Sequence, residues 1–224
     1  MIPGTTEKAQ SVFCRGRLVG FHAYRQVAPG VGGGEAIKQS VHRPRVAGYL
    51  EKLGAELAWH GGFSVDYIML DNGGAPLLID CNPRLVEPFN AWAAGSDLVA
   101  QLLRVSLGEA PAPLPEGRDG VQTHLAIQAL LGLAARGGSR IAIAREFGRI
   151  LDHGGPYAAS TEELTPLAYD RLGALPLLMT LAWLLAAPSS VAKLARGGFG
   201  DHLLDVRSIR EIENIPAVVS GKRA

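Results

Sequence analysis

Cysteine is scarce in this 224-residue sequence: only Cys14 and Cys81 occur, far apart, with no CxxC spacing and no neighbouring His pair. That argues against a disulfide framework or a zinc site and fits a reducing compartment. Charge of one sign is also lacking, since 22 Lys and Arg stand against 21 Asp and Glu for a net charge of +1. A nucleic-acid backbone calls for a basic face, so nucleic acid is not an expected partner. Residues 1–7 have neither the basic segment nor the apolar core of a secretory signal, which points to a cytoplasmic location. The uncharged stretch 172–192 is cut by Pro176, Pro188, Ser189 and Ser190 to roughly 11 strongly apolar residues, where a membrane span needs about 20. A buried or interfacial helix suits it better, and membrane association is not expected. Two familiar nucleotide fingerprints are absent as well: Gly30-Val31-Gly32-Gly33-Gly34 is neither a GxxxxGK[ST] nor a GxGxxG, and reads as a flexible loop.

What the sequence has in quantity is turn residues, with 28 Gly and 14 Pro. Up to about Gly108 short β-like runs alternate with one or two helices, whereas from about Val121 Ala, Leu and Arg recur at helical spacing. The Pro-rich segment 109–117 between them cannot continue a helix. It marks a boundary, giving units at 1–110 and 118–224 with no internal repeat. In the first unit, residues 11–14 and 18–24 flank Arg15-Gly16-Arg17 as a β-hairpin, and 44–57 carries apolar residues at the spacing of an amphipathic helix that opens near Pro44. In the second, helices are expected over 125–133 and 141–150, with a break at 137–139 and a stop at 152–156. A short capped helix is expected over 161–166. The apolar helix 172–187 could close over the first unit, pair with a second copy or lie on a membrane, and the runs Arg136-Gly137-Gly138 and Arg196-Gly197-Gly198 read as capped helix ends.

The most informative stretch is 63–84. Residues 65–70 and 76–81 are strand-like, and Asp71-Asn72-Gly73-Gly74 between them is strong turn chemistry. If Leu70 pairs with Pro76, Asp66 faces Asp80 and Ser64 faces Asn82 on one side of the sheet. Directly opposed carboxylates destabilise a strand pair unless something neutralises them, and a hard cation such as Mg²⁺ takes two carboxylates and an amide oxygen readily. Arg84, just beyond, can meet phosphate oxygens drawn in by that metal. The alternative is a solvated open face ended by an ordinary Asn82-Pro83 turn, and a slip of two would pair Asp66 with Leu78 instead.

An acidic residue in one strand, a turn, then an apolar run ending in Ile79-Asp80-Cys81-Asn82-Pro83-Arg84 resembles the metal-binding hairpin of the ATP-grasp superfamily, whose usual form is E-x-N-P/T-R. Trp59-His60-Gly61-Gly62 before it and Ala94-Gly95-Ser96-Asp97-Leu98 after it, with a helix to Gly108, also look like the ligases related to carbamoyl-phosphate synthase and biotin carboxylase. The likeness extends over residues 2–108. It implies an α+β fold: the antiparallel-sheet large lobe of an ATP-grasp protein, followed by a mostly helical C-terminal region. It further implies ATP and Mg²⁺ (or Mn²⁺) as cofactors, a small-molecule carboxylate as substrate, and a ligase that phosphorylates this carboxylate for attack by an amine or thiol. Asp66, Asp80 and Asn82 would hold the metal, Ile68 and Ile79 would flank adenine unless they are ordinary strand core, and Arg84 would stabilise the transferring phosphoryl group. Arg25 is a weaker candidate for the same anionic site, Glu87 could orient Arg84 or touch substrate, and His60 is expected to be structural. Asp80 in place of the commoner Glu shortens one metal arm by a methylene.

The resemblance also has gaps. The chain opens at Met1-Ile2-Pro3-Gly4, which looks like the end of the family's hinge, and none of Lys8, Lys38, Lys52, Lys193 and Lys222 sits in an obvious phosphate-gripping context. The expectation is therefore a large-lobe fragment without turnover unless a missing-lobe partner is supplied; a homodimer is a further option. A non-catalytic nucleotide- or metal-binding module and a membrane-associated scaffold stand as alternatives.

Overall fold

The computed structural model describes residues 4–71, 74–164 and 170–191. Strands β1 (Gly4–Cys14) and β2 (Arg17–Pro29) form the expected hairpin, longer than the local pattern suggested. Arg15 and Gly16 take φ of 51° and 85°, the paired positive values that a two-residue turn needs to match strand twist. β3 (Glu35–Ser40), β4 (Gly61–Leu70), β5 (Leu77–Asn82), β6 (Gln122–His124) and β7 (Ser160–Glu162) complete a sheet ordered β5-β4-β1-β2-β3-β6-β7. All described pairings are antiparallel except β6 with β7.

Each face of this sheet is covered by a helix that matches its apolar alternation. Helix α1 (Pro44–Glu56) starts on Pro44, whose missing N–H costs nothing at a helix start, and buries Val46, Leu50 and Gly54 against Ala9, Phe13, Phe63, Val65 and Tyr67. On the same face Glu7 accepts from Arg43 Nε at 2.7 Å and from Tyr67 Oη at 2.9 Å, a buried carboxylate fully paired. The opposite face packs α3 (Leu98–Ser106), capped by Asp97 Oδ1 on the Ala100 N–H at 2.9 Å, against Val12, Cys14 and Val19. The short α2 (Phe89–Ala93) precedes it. Helices α4 (Ala126–Ala135), α5 (Arg140–Leu151) and α6 (Ala174–Ala186) build a third core around Ile37 and Leu130.

Several expectations are corrected here. The segment 109–117 does not separate two units: the Leu114 N–H donates to Val19 O at 2.9 Å, Arg17 Nη2 to Pro111 O at 2.9 Å, and Gln101 Nε2 to Ala112 O at 2.7 Å. It is stapled across the sheet, and β6 and β7 beyond it extend that same sheet, so the C-terminal half is not helical throughout. Around 161–166 the described residues form β7 and a bend instead of a capped helix; Thr165 and Pro166 lie outside the described residues, as do Met1–Pro3 of the supposed hinge, Asn72, Gly73, Lys193, Lys222 and the 196–198 run. The glycine run is a closed turn, with the Gly30 N–H on Gly34 O at 2.8 Å and the Val31 N–H on Gln128 Oε1 at 2.9 Å. Among the described residues no helix is long and apolar enough to cross a membrane.

Glycine is required at one helix–sheet contact, because a Cβ on Gly54 would lie 2.1 Å from Phe13 Cε1, whereas one on Gly48 of the same helix meets nothing within 4 Å. Gly54→Ala should lower the unfolding free energy by about 1–3 kcal/mol through overpacking, despite the gain of up to ~1 kcal/mol in helix propensity. Gly48→Ala should raise it by about 0.5–1 kcal/mol. Urea unfolding of both variants measures the contrast.

Candidate functional site

The β4–β5 ladder places Ser64 across from Asn82, Val65 across from Cys81 and Asp66 across from Asp80. Beyond Asp66 the register shifts: Tyr67 pairs with Leu78 and Ile68 with Leu77, leaving Ile79 as an unpaired bulge residue. Ile79 is consequently 54% exposed, and Ile68 and Ile79 are not brought opposite one another. Asn82 Nδ2 donates to Asp80 Oδ2 at 2.9 Å, so the amide and the carboxylate two residues apart do share a face.

Alternation carries that face across the sheet. Asp66 pairs with Lys8, Lys8 with Tyr24 and Ser64 with Gln10. These residues, with Asp80, Asn82, Arg84 and Val86, line a cleft of about 220 Å³. Lys8 Nζ lies 2.8 Å from Glu35 Oε1 and 3.5 Å from Asp66 Oδ2. Burial pulls its pKa down, but the two carboxylates outweigh this and leave it raised. The Asp66 carboxyl is raised by its own burial; the Lys8 ammonium opposes that shift, and Glu35 and Asp80 reinforce it.

Farther along the same face lies a cation that sequence reasoning passed over. Lys38 on β3 is fully buried, with Nζ bound to the Glu87 carboxylate and to Glu163 Oε2 at 3.0 Å, and it stands 5.4 Å over the Tyr24 ring. Thr123 Oγ1 donates to Glu163 Oε1 at 2.6 Å and accepts from Asn90 Nδ2 at 2.8 Å; Asn90 Oδ1 lies 2.8 Å from His22 Nε2. Burial lowers the His22 pKa, which keeps that ring neutral. Burial is also the main cause of the raised Glu163 carboxyl, against the pull of Lys38. Glu87 sits at φ 51°, a left-handed backbone unusual outside glycine, and its segment is pinned by Gln10, which accepts from the Val86 N–H at 2.9 Å.

Five carboxylates (Glu35, Asp66, Asp80, Glu87, Glu163) thus face three cations (Lys8, Lys38, Arg84) on one side of the sheet. The deficit is two positive charges, concentrated at Asp66 and Asp80. Among the described residues no group of three or more His, Cys, Asp or Glu side chains is disposed to hold a metal. The donor set is two carboxylates plus the Asn82 amide oxygen. All are hard oxygen donors, and Mg²⁺ is commonly held by one or two carboxylates while phosphates and water complete its shell, so the residues fit that ion.

Of the candidates read from sequence, Asp66, Asp80, Asn82 and Arg84 meet in one cleft. Arg25 does not join them, which is a correction: it pairs with Glu7 on the other face and donates from Nη2 to Gln39 Oε1 at 2.7 Å. Two of the lysines that showed no phosphate-gripping context in the sequence, Lys8 and Lys38, lie on this face, each paired with carboxylates. His60 accepts from the Arg15 N–H through Nδ1 at 3.3 Å, away from the cleft. Stepping by two along β1 from the partner of Asp66 would have found Lys8 and Gln10, but no local pattern reports Lys38 or Glu163.

No family model matches the sequence, and no curated protein matches it. Solved structures do. Rhizobium etli pyruvate carboxylase aligns at 18% identity and a TM-score of 0.42 over 52% of this chain and 12% of its own. The ATPase subunit of phosphoribosylaminoimidazole carboxylase from Aquifex aeolicus aligns at 16% and 0.40 over 49% and 36%. N5-carboxyaminoimidazole ribonucleotide synthetase from Thermus thermophilus aligns at 15% and 0.40 over 55% and 35%. In each case about half of this chain is aligned, and it spans little more than a third of the other chain or less.

Removing either the buried cation or the opposed charge should have opposite effects. Lys38→Met leaves Glu163 buried without its partner and should cost about 3–5 kcal/mol of stability at neutral pH, much of it recovered in Lys38→Met/Glu163→Met. Asp80→Asn should gain about 0.5 kcal/mol or less in metal-free buffer, the low end for opposed charges because Asp80 is exposed. Because the Asp66 and Glu163 carboxyls rise on folding, they take up protons in the native state. Their contribution to stability is present below the ordinary carboxylate range and is lost as pH rises through the raised values. Chemical unfolding between pH 4 and 7 reads all three effects.

Proposed function

We propose that this cleft binds a Mg²⁺–ATP complex and uses it to convert a small-molecule carboxylate into an acyl phosphate, the chemistry of ATP-grasp carboxylate ligases. The observation that carries this reading is the direct opposition of Asp66 and Asp80, with Asn82 and Arg84 continuing into the same cleft. Lys8 is shared between Glu35 and Asp66, so one ammonium does not neutralise the opposed Asp66 and Asp80 pair.

Asp66, Asp80 and Asn82 would hold the metal, Mn²⁺ being able to take the same oxygen donors. When bound, the metal supplies charge neutralisation at the transferring phosphoryl oxygens. The remaining work belongs to this chain's own groups. Arg84, exposed at the mouth, offers a planar fork of donors to phosphoryl or acyl-phosphate oxygens. Lys8 sits between Glu35 and Asp66, where it sets the orientation of the Asp66 carboxylate and presents a positive charge to an incoming polyphosphate. Gln10 fixes the 86–87 segment and so ties the cleft wall to the Lys38 cluster through Glu87. Catalysis of this kind is positioning and electrostatics, and it needs no side-chain nucleophile.

The Lys8–Asp66 ion pair favours a second reading, a nucleotide-binding module without turnover, because the ammonium already neutralises part of the metal site. Calorimetric titration with ADP separates the possibilities. Binding should require Mg²⁺ and weaken at least tenfold in Asp80→Ala and in Asn82→Ala. Mg²⁺-independent binding, or binding indifferent to Asp80, would sink both readings. Phosphate release with hydroxylamine trapping of an acyl phosphate, given a panel of carboxylates, distinguishes a ligase from a binding module.

A further inference from the structure

A second cavity, of about 420 Å³, adjoins the carboxylate cleft at residues 86 and 87, Val86 lining the first and Glu87 the second. Its walls are Phe89, Trp92, Val99, Leu125 and Leu164, and the ionisable groups that reach it are Glu87, Asp97 and Glu163. Trp92 is 58% exposed and lies 5.3 Å from Phe89 between ring centroids with the rings tilted by 45°, so the pair offers an open apolar wall among the described residues. A volume of this size accommodates a small organic ligand.

The sign of the charge at its polar end decides what that ligand carries. Among the described residues no Lys or Arg lines the cavity, and Lys38, which contacts two of its acidic groups, has a fully buried Nζ already bound to both Glu87 and Glu163. It therefore presents no free positive charge. Asp97 is engaged through one oxygen as the cap of α3, and Glu87 is 43% exposed with its carboxylate at the cavity's edge. An incoming carboxylate would meet three acidic groups, whereas an ammonium would supply the positive charge that the Glu87–Lys38–Glu163 cluster lacks. We propose that this cleft binds a primary amine carried on an aromatic or branched aliphatic body, with the ammonium against Glu87 and the body on Phe89, Trp92 and Val99.

This rests on the ligase reading in one respect, the fate of the amine. Glu87 accepts one ammonium proton. The freed nitrogen lone pair then forms a C–N bond to the acyl carbon, the C–O bond to phosphate breaks, inorganic phosphate departs, and the second N–H proton leaves with it. The cleft is thus the acceptor pocket: Val86 lines the phosphoryl cleft and Glu87, the next residue, lines this one, so the ammonium end of the amine lies at the border between the two.

Calorimetry of the full chain without nucleotide tests the binding itself, using 2-phenylethylamine, 3-phenylpropionate and ethylamine. The phenyl amine should bind at least tenfold more tightly than either of the others. Glu87→Gln should weaken it at least tenfold, and Val99→Phe, a change at an exposed position that fills the cavity, should abolish it while leaving Mg²⁺–ADP binding intact. Equal or tighter binding of 3-phenylpropionate, or an amine affinity indifferent to Val99→Phe, would overturn the assignment. The two readings fail separately: lost amine selectivity with Asp80-dependent Mg²⁺–ADP binding retained removes only the acceptor pocket, and the converse removes only the phosphoryl site.

Discussion

Strand β1 is hydrogen-bonded on both sides, to β2 and to β4, and its period-two alternation fixes what each face of the molecule can do. Glu7, Ala9 and Phe13 point toward α1, where the Glu7 carboxylate is fully paired by Arg43 and Tyr67. Lys8 and Gln10 point the other way, and their neighbours Asp66, Ser64 and Tyr24 must follow because partners in register share a face. A slip of one residue in β1 would exchange a dry core for a row of charges. The apolar packing of α1 is therefore what holds the ionic face in place.

That face carries costs that folding alone does not recover. Lys38 is buried, Asp66 and Glu163 have their carboxyls raised by loss of water, and Glu87 occupies a strained backbone region. Such groups pair well with one another, yet a well-packed apolar replacement is commonly neutral or better. Their clustering beside two cavities is the pattern expected where a surface is shaped for ligand and not for stability. The near-neutral net charge of the sequence hides this clustering: the charges are local, and whole-chain net charge averages them away.

The opposition of Asp66 and Asp80 was legible in the sequence because strand alternation and a Gly-rich turn are local signals, and one assumed pairing then fixes the rest. The bulge at Ile79 was not legible, since a one-residue irregularity leaves no mark on composition; it puts Leu78 opposite Tyr67 where the assumed register had Ile79. Arg25 was misplaced for lack of a β1–β2 register, as its distance from the glycine run says nothing about which face it takes. β3 escaped notice because Glu35-Ala36-Ile37-Lys38-Gln39-Ser40 has polar residues at both kinds of position. In the fold Glu35 is satisfied by Lys8 and Lys38 by Glu87 and Glu163, all distant in sequence.

The same nonlocality bears on the C-terminal half, which looked like a separate helical unit. Glu163 reaches Lys38 only because β7 runs parallel to β6, and that short pairing has side-chain reinforcement. His124 Nδ1 lies 2.8 Å from Ser160 Oγ, the Glu162 carboxylate accepts the Ala126 N–H at 2.9 Å, and the buried His124 ring stands edge-on to Tyr157 at 5.0 Å. Burial lowers the His124 pKa, so these contacts are made by a neutral ring near pH 7. A three-residue parallel strand has little stability of its own. The polar pins at Ser160 and Glu162 thus decide where the next residue lies, and Glu163 in turn decides whether Lys38 is a paired ammonium or a buried charge without its second partner. The lysine cluster between the two cavities is a property of the whole described sheet, completed only when the segment beyond the Pro-rich connector has folded back onto it.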